Sequence, residues 1–87
     1  MSKVFDMKLF LSGVLTGSKA TQRRHLQQAC AMQKAINVRW QRDNPWTWRK
    51  KHVLWFFSQH LKHHSSDTKY YYELTAKLIR RRLDNRF

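Results

Sequence analysis

Residues that break regular structure are scarce in this chain of 87 residues, which contains two glycines and one proline. Folds built from many strands and tight turns need more of both, so the scarcity favours an all-α domain. The single cysteine, Cys30, excludes an intramolecular disulfide and fits a reducing cytoplasm. Its apolar neighbours within a predicted helix favour a buried and unreactive thiol.

Long apolar runs are missing as well. No stretch approaches the ~20 apolar residues that a membrane-spanning helix needs. The opening segment contains a short apolar run, but Asp6 and Lys8 interrupt what would be a signal-peptide core, and no cleavage site follows it. We therefore expect neither a membrane partner nor secretion.

Acidic residues are the third scarcity, because five Asp and Glu stand against eighteen Lys and Arg and give a formal net charge of +13. Residues 1–44 hold eight of these cations and two acids, and residues 45–87 hold ten and three. A compact state with this charge repels itself unless a polyanion binds it. The even division argues against a basic tail and predicts that the folded body binds nucleic acid. The alternative is a solvated basic surface without such a role.

Aromatic residues are plentiful, with four Trp, three Tyr and five Phe. They supply enough apolar surface for a core, which distinguishes this chain from disordered basic tails. We expect Trp40 and Trp46 to lie in that core. Trp55 falls opposite the apolar face of its helix, so it is expected to be exposed or to contact a neighbouring domain or protomer.

Apolar residues recur at spacings of three and four in four segments, which predicts four helices joined by short connections in one compact bundle spanning 1–87. Thr47 is the expected N-cap of the third helix, and Tyr71 is expected to face inward in the fourth. The predicted segments are about 4–15, 20–42, 47–64 and 67–83, separated by Gly17-Ser18, Asp43-Asn44-Pro45 and Ser65-Ser66-Asp67.

The starts of the second and fourth helices hold the candidate DNA contacts, because a helix N-terminus offers free N–H groups and a positive dipole end to phosphate. Arg23 or Arg24 can reach a guanine edge and Gln22 an adenine. Phosphate contact is expected from Lys69. The alternative is a solvated helix start in which Thr21, Ser66 or Thr68 only caps the helix. The full candidate set is Thr21, Gln22, Arg23, Arg24, Ser66, Thr68, Lys69, Tyr70, Lys77 and Arg80.

Two further clusters carry positive or titratable charge. The run 49–51 (Arg-Lys-Lys) places three cations in the first turn of the third helix, where positive charge interacts unfavourably with the helix dipole. His60 and His64 have the spacing of paired metal ligands, but no carboxylate or second cysteine accompanies them. We therefore predict no metal and no cofactor. With five acids, no Gly-rich loop and no paired carboxylates, no catalytic residue is predicted either.

The order of these signals resembles the N-terminal core-binding (SAM-like) domain of tyrosine recombinases and phage-type integrases. In that family the second helix begins with Ser-x-x-Thr, and a second Ser-x-x-Thr turn leads into the last helix. The third helix of the family reads His-Val…Phe…His-Leu, and the last has a Leu…Leu pattern. The matching residues, within roughly 9–84, are Ser18 and Thr21, Ser65 and Thr68, His52-Val53, Phe57, His60-Leu61, Leu74 and Leu78.

The resemblance implies a double-stranded DNA-binding module of a mobile element, with its second and fourth helices toward the major groove. Catalysis in that family belongs to a C-terminal domain with an Arg/His/Lys set and a nucleophilic Tyr. Tyr70, Tyr71 and Tyr72 stand at framework or DNA-facing positions, so none is expected to be the nucleophile. The resemblance implies that the chain is non-catalytic alone and acts at the nucleoid with a catalytic domain or other recombinase protomers as partners.

Two other functions stay open on the residues alone. Exposed aromatic side chains would suit stacking of bases in RNA or single-stranded nucleic acid. A basic, Trp-rich face would also suit a small protein–protein interaction factor of a mobile element.

Overall fold

The computed structural model describes residues 4–84, which form four α-helices and no strand. The predicted all-α four-helix architecture is confirmed for these residues, and both ends of the predicted 1–87 domain lie outside them. A 3₁₀ turn precedes the third helix and a π-helical turn extends it. The elements in order are α1 Met7–Leu11, α2 Lys19–Trp40, the 3₁₀ turn Pro45–Thr47, α3 Lys50–Trp55, the π-turn Phe56–His60 and α4 Ser66–Asp84.

The first two helices are shorter than the apolar spacing predicts. Asp6 caps α1 by accepting a hydrogen bond from the Leu9 N–H at 3.0 Å, and the helix ends after Leu11. Val14 is nevertheless buried, because the turn after α1 still packs against the core. At the far end of α2, Gln41 adopts a left-handed conformation with φ of 58° and stops the helix after Trp40.

The expectation that Thr47 caps the third helix is wrong. Asn44 accepts from the Trp46 N–H at 2.9 Å, and the Thr47 hydroxyl donates back to the Asn44 carbonyl at 2.7 Å. These bonds close a single 3₁₀ turn, so Thr47 ends one element and does not begin the next. The cap of α3 is Arg49, whose N–H donates to Nδ1 of His52 at 2.8 Å.

All four helices contribute to one core. Phe56, Leu61 and Met32 are fully buried at its centre. His52 is buried beside it and accepts its hydrogen bond as a neutral ring. The other buried apolar residues of this core are Met7, Phe10, Leu11, Val14, Ala29 and Ile79.

Three predicted burials and one predicted exposure are wrong. Cys30 is exposed, because it lies one position, or about 100°, around α2 from the buried Ala29. Tyr71 is 37% exposed and faces the side of α2 instead of the core. Trp46 is also 37% exposed, although its ring packs edge-on against the core residue Phe10.

Trp55, expected at the surface, is half-buried, with its ring 5.1 Å from that of Trp40. Trp40, expected in the core, is half-buried too and packs at the edge of the core.

Helices α2 and α4 pack against each other in parallel. The Arg24 guanidinium lies 4.4 Å from the centre of the Tyr71 ring, and four residues further along each helix Gln28 meets Thr75. Both helices therefore advance together in the same direction. The buried Thr75 hydroxyl lies at the centre of the contact. It lies 2.8 Å from His25 Nδ1 and donates to Gln28 Oε1 at 2.8 Å. We refer to these three hydrogen-bonded side chains as the Thr75 hub.

This parallel register brings the starts of α2 and α4 to one end of the molecule. Thr21 lies four residues before His25 and Thr68 seven residues before Thr75, so each falls on the stripe of its helix that faces the other. Both threonines are half-buried. We refer to the first turns of α2 and α4, with their caps, as the shared end.

Replacing Thr75 by Val tests the hub. The substitution keeps the shape of the side chain but leaves the buried polar atoms of His25 and Gln28 without their partner. We expect the free energy of unfolding to fall by about 1–3 kcal/mol, measured by urea denaturation. The exposed Thr16 offers a matched control, and Thr16→Val is expected to change stability little. Equal stability of the two variants would contradict the role of the hub.

Stability is also expected to depend on pH through two buried histidines. Burial lowers the pKa of His25, and the positive charge of Arg24 lowers it further. Burial lowers the pKa of His52 as well, with smaller contributions from Arg42 and other cations. Because the unfolded chain takes up protons first, near the ordinary histidine pKa of about 6.5, stability is complete above that pH and is lost as the pH falls below it.

Thermal unfolding followed by circular dichroism from about pH 7.5 to about pH 5 measures this loss. We expect the midpoint to fall over that range, and to fall less in His25→Gln. The control is His63→Gln, which replaces an exposed histidine and leaves both buried rings in place. A midpoint that rises on acidification would contradict the assignment of neutral buried histidines.

Candidate nucleic-acid interface

The start of α2 is closed by a Ser-x-x-Thr cap. Ser18 Oγ accepts from the Thr21 N–H at 3.2 Å, and the Ser18 hydroxyl donates to Thr21 Oγ1 at 3.0 Å. Ser18 is therefore the cap, and Thr21 keeps its own hydroxyl hydrogen for another partner. No acidic residue lies in this first turn, so no carboxylate of the turn itself offsets the positive end of the helix dipole.

The start of α4 repeats this arrangement. Ser65 Oγ accepts from the Thr68 N–H at 3.2 Å, and the Ser65 hydroxyl donates to Thr68 Oγ1 at 3.0 Å. The cap is thus Ser65, whereas Ser66 is the exposed first residue of the helix. Asp67 stands in this first turn and complements the dipole. The α2 start is consequently the stronger of the two anion sites.

Each helix start also presents backbone donors. The serine caps accept from the third N–H group of each helix, so the first two N–H groups have no partner within the helix. These groups belong to Lys19 and Ala20 in α2 and to Ser66 and Asp67 in α4. Because the helices are parallel, all four groups lie at the shared end. Backbone donors and a positive dipole end together are suited to bind phosphate oxygens.

The predicted DNA contacts at the start of α2 include Gln22, Arg23 and Arg24, and these three side chains lie in three different environments. Arg23 is exposed, whereas Arg24 stacks on the Tyr71 ring, which leaves the edge of its guanidinium available. Within residues 4–84 neither arginine pairs with a carboxylate. The Gln22 amide donates to the Gly17 carbonyl at 2.9 Å, so a bidentate contact with adenine requires that bond to break.

On α4, the predicted contacts diverge around the helix. Tyr70 is 56% exposed and its ring lies 5.6 Å from that of Tyr71, beside Arg24. Lys69 is half-buried and falls about 200° around α4 from Tyr71. The two tyrosines therefore adjoin the arginines of α2, while Lys69 flanks the shared end on the far side of α4.

The last two predicted contacts, Lys77 and Arg80, lie away from the shared end. They follow Lys69 by eight and eleven residues, which places them about 12 and 16 Å further along α4. There they line a groove together with Arg49 and Lys50. The cationic run at the start of α3 was recognised in the sequence, but no local pattern could link it to α4, because their proximity arises from tertiary packing.

One histidine of the cluster, His60, and two of the tryptophans contact residues of the core. The His60 ring stacks on Phe56 with a centroid distance of 4.9 Å, and His64 follows at 6.5 Å from His60. Within the part of the chain that the structure describes, no group of three or more potential ligands could hold a metal ion. Trp48 and Trp55 pack against the core, which leaves few flat aromatic faces for stacking unpaired bases.

Comparison of the chain with models of protein families, with curated proteins and with solved structures gives no match. Among the helices of residues 4–84, none combines the length and the apolar character needed to cross a lipid bilayer. What the chain binds is therefore inferred from the positions and charges of its own residues.

Proposed function

We propose that the chain binds double-stranded DNA through the shared end, as the resemblance to recombinase core-binding domains implies. The observation that carries the proposal is the pair of parallel helix starts with the same Ser-x-x-Thr cap and the same distances. Arg23 and Arg24 lie beside them without a carboxylate partner in residues 4–84. An anion that neutralises this end would relieve both the dipole and the charge repulsion.

Phosphate groups are the anions that these donors suit best. One phosphate oxygen can accept from the free N–H groups of α2 and from the Thr21 hydroxyl, with Arg23 adding a charged contact. Stacking on Tyr71 holds Arg24 in place before binding, so less side-chain entropy is lost when it donates to DNA. Base recognition is assigned to Arg24, and the remaining contacts, including that of Arg23 with phosphate, set the register on the duplex.

A duplex suits this surface better than a single strand. The axes of two packed helices lie about 8–10 Å apart, a spacing close to the ~12 Å that separates the two edges of the major groove. Both starts can therefore face one groove. Binding of single strands depends on stacking platforms, and two of the four tryptophans, Trp48 and Trp55, pack against the core instead.

The role of the DNA contact is also part of the proposal. The two Ser-x-x-Thr caps fall at the helix starts where the resemblance expects them, and this supports a core-binding module of a tyrosine recombinase or integrase of a mobile element. In that role the chain would hold the recombination site at the nucleoid without cutting it. Cleavage would belong to a catalytic domain or to other protomers of the assembly.

The double substitution Arg23→Ala and Arg24→Ala tests the interface. Loss of two contacts at about 1–2 kcal/mol each is expected to weaken duplex binding by ~2–4 kcal/mol at low salt. The plot of log affinity against log salt should become shallower by about 1, since the Arg23 contact with one phosphate is lost. Both quantities come from a mobility-shift or fluorescence-anisotropy titration at several salt concentrations, with folding checked by circular dichroism.

The matched control removes the same charge elsewhere. Lys34 and Arg39 are exposed and lie about 22 and 30 Å along α2 from its first residue, so the double variant Lys34→Ala and Arg39→Ala is expected to lose much less affinity. Equal losses in the two double variants would mean that only net charge matters and would refute the interface. Stronger competition by single-stranded RNA than by duplex DNA would instead favour a single-strand function.

A further inference from the structure

A second surface lies outside the shared end, in the groove between the start of α3 and the second half of α4. The groove has a volume of about 440 Å³, a size that holds ligands in other proteins. Its floor and walls are apolar and contain buried or half-buried side chains from α2, α3 and α4. These apolar lining residues are Met32, Trp48, Val53, Ala76, Ile79 and Leu83.

The rim of this groove is cationic. Arg49 and Lys50 stand on the α3 side, Lys77 and Arg80 stand on the α4 side, and all four are exposed. Of the residues between 4 and 84 that line the groove, none is acidic. One wall is held in place before any ligand arrives, because the Trp48 indole N–H donates to the Arg42 carbonyl at 2.7 Å.

We propose that this groove binds an acidic amphipathic helix of a partner protein. Apolar side chains at helical spacing would enter the groove, and flanking Glu or Asp side chains would meet the four rim cations. Charge complementarity indicates this ligand, since a partner helix must carry apolar residues for the floor of the groove and negative charge for its rim. The proposal concerns a different surface from the shared end and does not depend on DNA binding.

Two other occupants fit the groove less well. A phosphate backbone would satisfy the rim cations but offers no apolar side chains to cover the floor. A second copy of this chain carries the same formal net charge of +13, so approach of the two molecules would be opposed by strong repulsion. An acidic helix avoids both difficulties.

The probe is a fluorescein-labelled peptide of about 15 residues with Leu on one helical face and Glu on the others. A permuted peptide of the same composition, with Leu distributed around the helix, is the control for the apolar face. Binding to the full chain is measured by fluorescence anisotropy. A ¹H–¹⁵N correlation spectrum reports the location, and we expect shifts at the Trp48 indole and at Val53, Ala76 and Leu83.

Charge reversal at the rim tests the electrostatic part. Lys77→Glu with Arg80→Glu removes two attractions and adds two repulsions, which is expected to weaken binding of the amphipathic peptide about tenfold. Lys34→Glu with Lys62→Glu makes the same change in net charge away from the groove and is expected to change affinity by less than about twofold. The variant Arg23→Ala with Arg24→Ala should keep full peptide affinity, which separates this proposal from the DNA proposal.

Several results would overturn the groove proposal. One is equal binding of the permuted peptide, and another is equal loss in the two charge-reversal variants. A third is a set of spectral shifts confined to the shared end. Displacement of the peptide by duplex DNA, with shifts at Val53 and Ala76, would assign the groove to nucleic acid instead.

Discussion

The buried hydrogen bonds of Thr75 set the geometry on which the proposed interface depends. The Thr75 hydroxyl joins His25 and Gln28, and this contact holds α4 parallel to α2 in a fixed register. Sliding either helix by one turn would separate the Thr75 hydroxyl from the buried His25 and the half-buried Gln28, and loss of these bonds would destabilise the fold. The register in turn brings two Ser-capped helix starts to one end. The surface proposed for DNA thus depends on an interaction that lies in the interior.

Helix α4 connects two surfaces of different chemistry. Its first turn offers backbone donors, a threonine hydroxyl and two tyrosines beside the arginines of α2, an arrangement suited to phosphate and base edges. Its second half places Lys77 and Arg80 over an apolar floor, an arrangement suited to a protein helix. A net charge of +13 serves both, because each surface needs an anionic partner. The same helix would allow a partner protein and DNA to be held together.

Sequence periodicity predicted the number and order of the four helices, because apolar spacing is a local property. The two Ser-x-x-Thr starts came from the family resemblance, and their caps are Ser18 and Ser65. Sequence reasoning failed where tertiary packing decides. Thr47 has the chemistry of an N-cap, but Asn44 and Pro45 use it to close a 3₁₀ turn. The hydrogen bonds of Thr75 could not be predicted, since Thr75 and His25 lie 50 positions apart in the chain. The groove could not be predicted either, since its rim joins Arg49 and Lys50 to Lys77 and Arg80, more than twenty-five positions further along. Arg49 and Lys50 were noticed as a cluster, yet only the fold shows which residues face them.

The central claim is that both helix starts contact the same duplex. A titration of the ¹⁵N-labelled chain with a short DNA duplex tests it most directly, because the backbone amides at the starts are separate reporters. The account predicts that the amides of Lys19 and Ala20 in α2 and of Ser66 and Asp67 in α4 shift together, at the same DNA concentration, while that of Lys34 does not. Shifts at one start only, or shifts centred on α3, would contradict it.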